Sequence, residues 1–389
     1  MSSSALMATY SPPDILFERG DGAYLMTQDG DKYLDFITGI AVSAFGHNHP
    51  HLVAALIDQA GKYWHSSNMF RIESAEILAE RLTKHTFADR AYFANSGGEA
   101  VEAGLKMMRR YHFDAGDTKR TRIIGMKNSF HGRTIATVAA AGNPAHAKGF
   151  FEGDLGFDHV TYGDIDALRA AITDETAGVI LEPVQGEGGV LPAPEGYMNA
   201  VRKLCDETGI LFMVDEIQCG MGRTGKLFAY EWSDIEPDIL AAAKGLGGGF
   251  PIGACLATEK VAACMVVGTH GSTFGGNPLA TRVGNAVLDL VLEDGLLDQV
   301  CRHSETLKSG LQDLVDLHPD KLTAVQGLGL MVGIKCKVPN VDLLVKLRDN
   351  KLLAGRAGTD ILRLLPPLNL TDAHIDEALG ILNKTLKNW

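Results

Sequence analysis

The sequence predicts an α/β protein in two parts, a large domain on a mostly parallel sheet flanked by helices and a smaller α+β domain. Three observations predict it. Between about residues 90 and 275, short apolar runs alternate with helical patterns, as strands and crossover helices do in a parallel sheet. Beyond about residue 280 a long helical stretch gives way to two strand-like runs and a closing amphipathic helix. The length, 389 residues, suits two hydrophobic cores better than one. We place the boundaries at 1–60 for an N-terminal segment that joins the smaller domain, 61–285 for the large domain and 286–389 for the smaller one.

Taken in order, AYLM and KYLDF flank a turn at Asp29-Gly30 and predict a hairpin. The loop FGHNHPH follows, then a mostly helical pattern through SAEILAERLTKH. The runs AYFANS, RIIGM, AGVILEP, ILFMVDE and DILAAAK predict the strands of the large sheet. Several of them end on polar or charged residues, Ser96, Glu182, Asp215, Glu216 and Lys244, and ligands of open α/β sheets bind at the carboxyl ends of strands. A polar residue must end most strands, so the inference rests on the set rather than on any one of them. In the smaller domain LTAVQGLGLMVGIKC and ILRLLPPLNL predict strands. The last helix starts after Thr371 and turns Ile375, Leu379, Leu382 and Leu386 to one face.

Composition narrows the partners. With 46% hydrophobic and 22% charged residues the chain is globular, and 48 acidic against 36 basic residues leave it at −12, a field that repels nucleic acid. The six cysteines form no C-x-x-C pair, which argues for a reducing compartment and against a zinc ribbon. The N-terminus has neither a signal peptide nor a transit peptide pattern, so a cytoplasmic protein is expected. Ile239 to Ala257 approaches the length of a membrane span, but its glycines, its proline and the central Lys244 argue against one.

Three features carry chemistry. Ser96-Gly97-Gly98 leads from a strand into an amphipathic helix, which offers free backbone N–H groups and a positive dipole end to an anion, most naturally a phosphate. The same tripeptide also serves as a plain N-cap and turn. Asp215 ends an apolar strand, where a carboxylate needs a cationic partner or a metal. Lys244 ends another apolar run and is followed by Gly-Leu-Gly-Gly-Gly, a setting that favours a neutral, nucleophilic amine. A phosphate cradle, a buried carboxylate for a ring nitrogen and an amine for an aldehyde match pyridoxal 5′-phosphate.

The blocks FANSGGEA, NSFHGRT, EPVQGEGG, VDEIQCGMGRTGK, KGLGGGFPIGA and GSTFGGNPLA resemble, over nearly the whole chain, the class III (ω-amino acid) aminotransferases of the pyridoxal-phosphate fold type I. The resemblance implies a seven-stranded, mostly parallel sheet and a homodimer with active sites at its interface. It implies that Gly97 and Gly98 bind the phosphate, Phe130 stacks on the pyridine ring, Asp215 pairs with the ring nitrogen and Gln218 meets the ring hydroxyl. Lys244 would carry the cofactor as a Schiff base, and Thr273 would reach the phosphate from the other subunit. Ser272 would sit beside the substrate, and Arg133 and Arg363 would hold its carboxylates through their planar forks. Glu182 would mask Arg363 in one of two half-reactions. The substrates implied are an acylated ornithine as donor and 2-oxoglutarate or glutamate as partner, with succinylornithine, succinyl-diaminopimelate, ornithine and 4-aminobutyrate as alternatives within the family.

The chain departs from the family pattern at Gly98, where Thr or Ala is usual, and at Val101, where Asn is usual and a polar contact near the helix start is expected to be lost. Other readings compete less well. His47, His49 and His51 lack a carboxylate or cysteine at ligand spacing, so no metal is expected. GLGLMVG has Val332 where a dinucleotide fingerprint has its third glycine. A binding protein that kept the fold without the chemistry would not need both Lys244 and Asp215. A decarboxylase or aminomutase on the same fold would be exposed by its products.

Overall fold

The computed structural model describes residues 5–389. Seven strands form the central sheet: β1 (Arg90–Ala94), β2 (Arg122–Met126), β3 (Phe157–Val160), β4 (Thr176–Leu181), β5 (Leu211–Asp215), β6 (Ile239–Ala242) and β7 (Gly253–Ala257). Their spatial order is β1-β7-β6-β5-β4-β2-β3, and all neighbours are parallel except the two pairs that β7 makes. Ile180, Leu211 and Met213 pack on one face with Val101, Met107 and Met108 of helix α1 (Gly97–Asp114). Val179, Leu181, Phe212 and Val214 pack on the other with Met198, Val201 and Leu204 of helix α2 (Tyr197–Thr208). Burial on both faces is why these strands read as unbroken apolar runs.

The five runs expected as strands are β1, β2, β4, β5 and β6, and the sequence reading passed over β3 and β7. β3, FDHV, is a four-residue edge strand with two polar side chains. β7, GACLA, lies inside the apolar window from Ile239 to Ala257, which the chain uses as β6, a 3₁₀ turn over Lys244–Gly247 and the antiparallel β7. Among the described residues no helix is long and apolar enough to cross a membrane.

The expected N-terminal hairpin pairs Tyr24–Thr27 with Lys32–Asp35, and Gly30 supplies the left-handed turn position at φ 89°. Lys32–Asp35 also pairs in parallel with Leu352–Leu353, so the N-terminal strands meet the C-terminal part of the chain. There a second sheet holds β8 (Leu322–Leu328), β9 (Met331–Cys336), β10 (Gly355–Ala357) and β11 (Ile361–Leu364) in the order β8-β9-β11-β10, all antiparallel. GLGLMVG is the tight connection from β8 into β9, with no helix after the glycines, so it lacks the geometry of a dinucleotide loop. The closing helix α3 (Asp372–Lys387) buries Ile375, Leu382 and Leu386, while Leu379 lies against Gly310.

Candidate active site

β5 and β6 run side by side and parallel, so their carboxyl ends deliver Asp215 and, two residues beyond β6, Lys244 to one crevice. A cavity of about 280 Å³ opens there. Of the residues expected to form a site, Gly97, Gly98, Phe130, Glu182, Asp215, Gln218 and Lys244 line it, together with Ser96 and His131.

Ser96 stands in extended conformation as the N-cap of α1, and its Oγ accepts from the Glu99 N–H at 3.3 Å. The remaining N–H groups of the first turn have no partner within the helix, which leaves an anion site at the cavity wall. The two glycines there serve different ends. A Cβ on Gly97 would lie 2.7 Å from Cδ1 of Ile217, so close packing requires glycine. A Cβ on Gly98 would meet nothing nearer than 3.8 Å, which leaves a cradle open beside the helix start. Val101 is fully buried between α1 and the sheet. Valine there meets apolar neighbours on the face of the helix that packs on the sheet.

Lys244 opens its 3₁₀ turn with φ 45°, a left-handed conformation that is uncommon for a residue with a side chain. Among the described residues nothing hydrogen-bonds to its amine or pairs with it. Burial and then the positive charge of Arg363 push the amine down to about 8, against the opposing pull of Asp215, Glu187 and Glu182. Asp215 is 3% exposed; its Oδ1 accepts from the Ile217 N–H at 3.0 Å and its Oδ2 lies 2.7 Å from Nδ1 of His131. Burial disfavours the His131 cation, but the Asp215 contact and the charges of Asp215 and Glu182 outweigh it and hold the imidazole above its ordinary range. His131 escaped the sequence reading, although it stands beside Phe130 in NSFHGRT.

Glu182 does not pair with Arg363, contrary to the sequence expectation. Its carboxylate accepts from the N–H groups of Phe130 at 3.2 Å and Gly186 at 3.1 Å, and burial pushes it up to about 7. The chain then turns through a small hairpin and brings Glu187 to β11, where its Oε1 lies 2.7 Å from Nη1 of Arg363. The same nitrogen donates to Oε1 of Gln218 at 3.2 Å. The block EPVQGEGG thus contains two glutamates with separate duties, and spacing alone does not say which one reaches the arginine.

The other expected residues lie around the cavity rather than in it. Arg133 is exposed, with its guanidinium 5.1 Å from the ring centre of Phe130. The Ser272 hydroxyl accepts from Asn95 at 3.1 Å and from the Gly275 N–H at 3.0 Å, and Thr273 beside it is exposed. In the FGHNHPH loop, His47 bonds Asp35 and His51 bonds Asp289.

The donor set fits pyridoxal phosphate: an unpaired buried amine, a carboxylate with a hydrogen-bonded orientation and an open cradle at a helix start converge on one space. The sequence model described as aminotransferase class-III matches residues 6–386. The acetylornithine aminotransferase of Mesorhizobium japonicum is 53% identical over 380 residues, 98% of this chain and 95% of that protein. A Pseudomonas aeruginosa protein named succinylornithine transaminase/acetylornithine aminotransferase is 45% identical over 378 residues, 96% of this chain and 93% of its own. The ornithine aminotransferase of Toxoplasma gondii, solved with partial occupancy of pyridoxal phosphate at its active site, superposes with a TM-score of 0.94 at 30% identity, covering 98% of this chain and 92% of that one. The chain belongs to the class-III aminotransferases.

Proposed function

We propose that this aminotransferase uses pyridoxal 5′-phosphate to transfer the δ-amino group of N2-acetyl-L-ornithine to 2-oxoglutarate, giving N-acetyl-L-glutamate 5-semialdehyde and L-glutamate, a step of arginine biosynthesis. The observation that carries the reading is the meeting of Lys244, Asp215 and the Gly97-Gly98 helix start in one cavity. When bound, the cofactor supplies an electron sink for the charge left at the substrate carbon as its proton departs.

The chain's own residues do the rest. Lys244 Nζ, held near 8, is neutral in an appreciable fraction at neutral pH and carries the proton between substrate carbon and cofactor. Asp215, oriented by His131, keeps the ring nitrogen protonated. The N–H groups of Gly97 and Gly98 hold the phosphate, Phe130 and Gln218 fix the ring, and Thr273 completes the phosphate site from a second copy of the chain.

Two donors of different shape use this one site in turn. Arg133 holds the carboxylate of the acylated donor, with Ser272 beside it. Arg363 holds the α-carboxylate of 2-oxoglutarate or glutamate. While the donor is bound Glu187 covers Arg363. Its side chain is 35% exposed against 3% for the arginine, so the glutamate is the partner free to swing away. Residues 1–60 and 286–389 make the smaller unit and 61–285 the larger. The enzyme works as a cytoplasmic homodimer, where reducing conditions suit its six free cysteines.

The test is a donor panel against 2-oxoglutarate, ranked by kcat/KM. N-acetylornithine should lead, and a marked preference for 4-aminobutyrate would overturn the assignment. N-Succinylornithine belongs in the panel because of the dual name of the Pseudomonas relative. Omitting 2-oxoglutarate should stop turnover, whereas a decarboxylase or aminomutase would continue to form product.

A further inference from the structure

Arg223 is a fully buried cation outside the cavity. It is 2% exposed, burial alone pushes its guanidinium down to about 9, and among the described residues no carboxylate neutralises it. A lone buried charge is costly, and an apolar side chain of similar volume would fill the space at less cost. What the guanidinium does is grip two chain segments. Its Nη1 donates to the carbonyls of Leu330, at 3.4 Å, and Pro366, while the Arg223 carbonyl accepts from the Leu330 N–H at 2.9 Å.

Both segments lead to Arg363. Leu330 opens into β9 and Pro366 follows β11, and Gly333 of β9 is the register partner of Arg363 on β11. Arg223 itself lies on the loop that begins at Asp215 and carries Gln218, which accepts a hydrogen bond from Arg363. One loop therefore holds the cofactor-facing carboxylate at one end and the strand pair bearing Arg363 at the other. Close packing supports the grip, since a Cβ on Gly329 would lie 2.3 Å from Cα of Thr224 and 2.6 Å from the Arg223 carbonyl oxygen.

We propose that Arg223 is a positioning residue for the second carboxylate site: it clamps β9 and β11 to the Asp215–Thr224 loop and so sets where the Arg363 guanidinium stands for the α-carboxylate of the 2-oxo acid. The proposal rests on the assignment of Arg363 to that carboxylate. It predicts asymmetry between half-reactions, because the donor reacts while Glu187 covers Arg363.

The holoenzyme is compared with its Arg223→Met, Arg223→Lys and Arg363→Met variants in single-turnover half-reactions, with glutarate binding as a second readout. Arg223→Met should raise the 2-oxoglutarate KM and the glutarate Kd about tenfold, the scale of a lost hydrogen bond to a charged group. Its donor half-reaction should stay within about twofold of wild type. Arg223→Lys keeps a charge and a donor, remains available if the methionine variant does not fold, and should fall between the two. Equal losses in both half-reactions for either variant, or an unchanged glutarate Kd, would overturn the clamp. An Arg363→Met enzyme with unaltered 2-oxoglutarate kinetics would instead remove the assignment beneath it.

Discussion

At the scale of single residues the two glycines at the start of α1 differ in what they tolerate. Gly98→Ala has room and removes a glycine from a helix, so it should stabilise the protein by up to about 1 kcal/mol with little change in cofactor affinity. Gly97→Ala must displace Ile217, and should weaken cofactor binding about tenfold or more through the disturbed helix start. Equilibrium titration with pyridoxal phosphate and thermal melting separate the two. Lys244 carries a pH signature. Its lowered value means that, in the cofactor-free protein, its buried charge costs stability below about pH 8, and the cost fades as pH rises from 8 towards 10.5. Lys244→Met lacks that term, so its melting temperature should exceed the wild-type value at pH 7 and converge with it above pH 10. A constant difference across that range would contradict the stated burial of the amine.

Among elements, the strand ends were the most legible part of the sequence. Asp215 and Lys244 announced themselves because each stops an apolar run, and two adjacent parallel strands then bring such residues together. Partners made through loops were not legible: His131 on Asp215 and Glu187 on Arg363 depend on how loops return, which local pattern does not encode. β3 and β7 are obscured for a local reason instead, one being short and half polar and the other built mostly from small residues. Glu216, also at the end of β5, holds the following loop by accepting from the N–H groups of Ala229 at 2.8 Å and Tyr230 at 2.7 Å. Burial raises its carboxyl to about 7, so its contribution falls as pH rises from about 4.5 to 7. Glu216→Gln should cost about 1–3 kcal/mol in urea unfolding at pH 5, and less at pH 8.

For the molecule as a whole, the position of Thr273 is the main clue to assembly. It is exposed on a loop tied to Asn68, whose Nδ2 donates to the Ser272 carbonyl at 2.9 Å, and Trp64, Met69, Phe70 and Phe274 are exposed nearby. Apolar surface of this kind suits a second copy of the chain, which the proposed role of Thr273 requires. Sedimentation should give twice the 41.7 kDa chain mass, and Thr273→Val should loosen the cofactor about tenfold while leaving that mass unchanged. The central claim, that Lys244 is the amine on which the cofactor is carried, is tested most directly by borohydride reduction of the holoenzyme followed by peptide mass mapping. The account predicts the pyridoxyl group on the peptide containing Lys244 and its absence in Lys244→Ala. Label on a different lysine, or label retained in the variant, would contradict it.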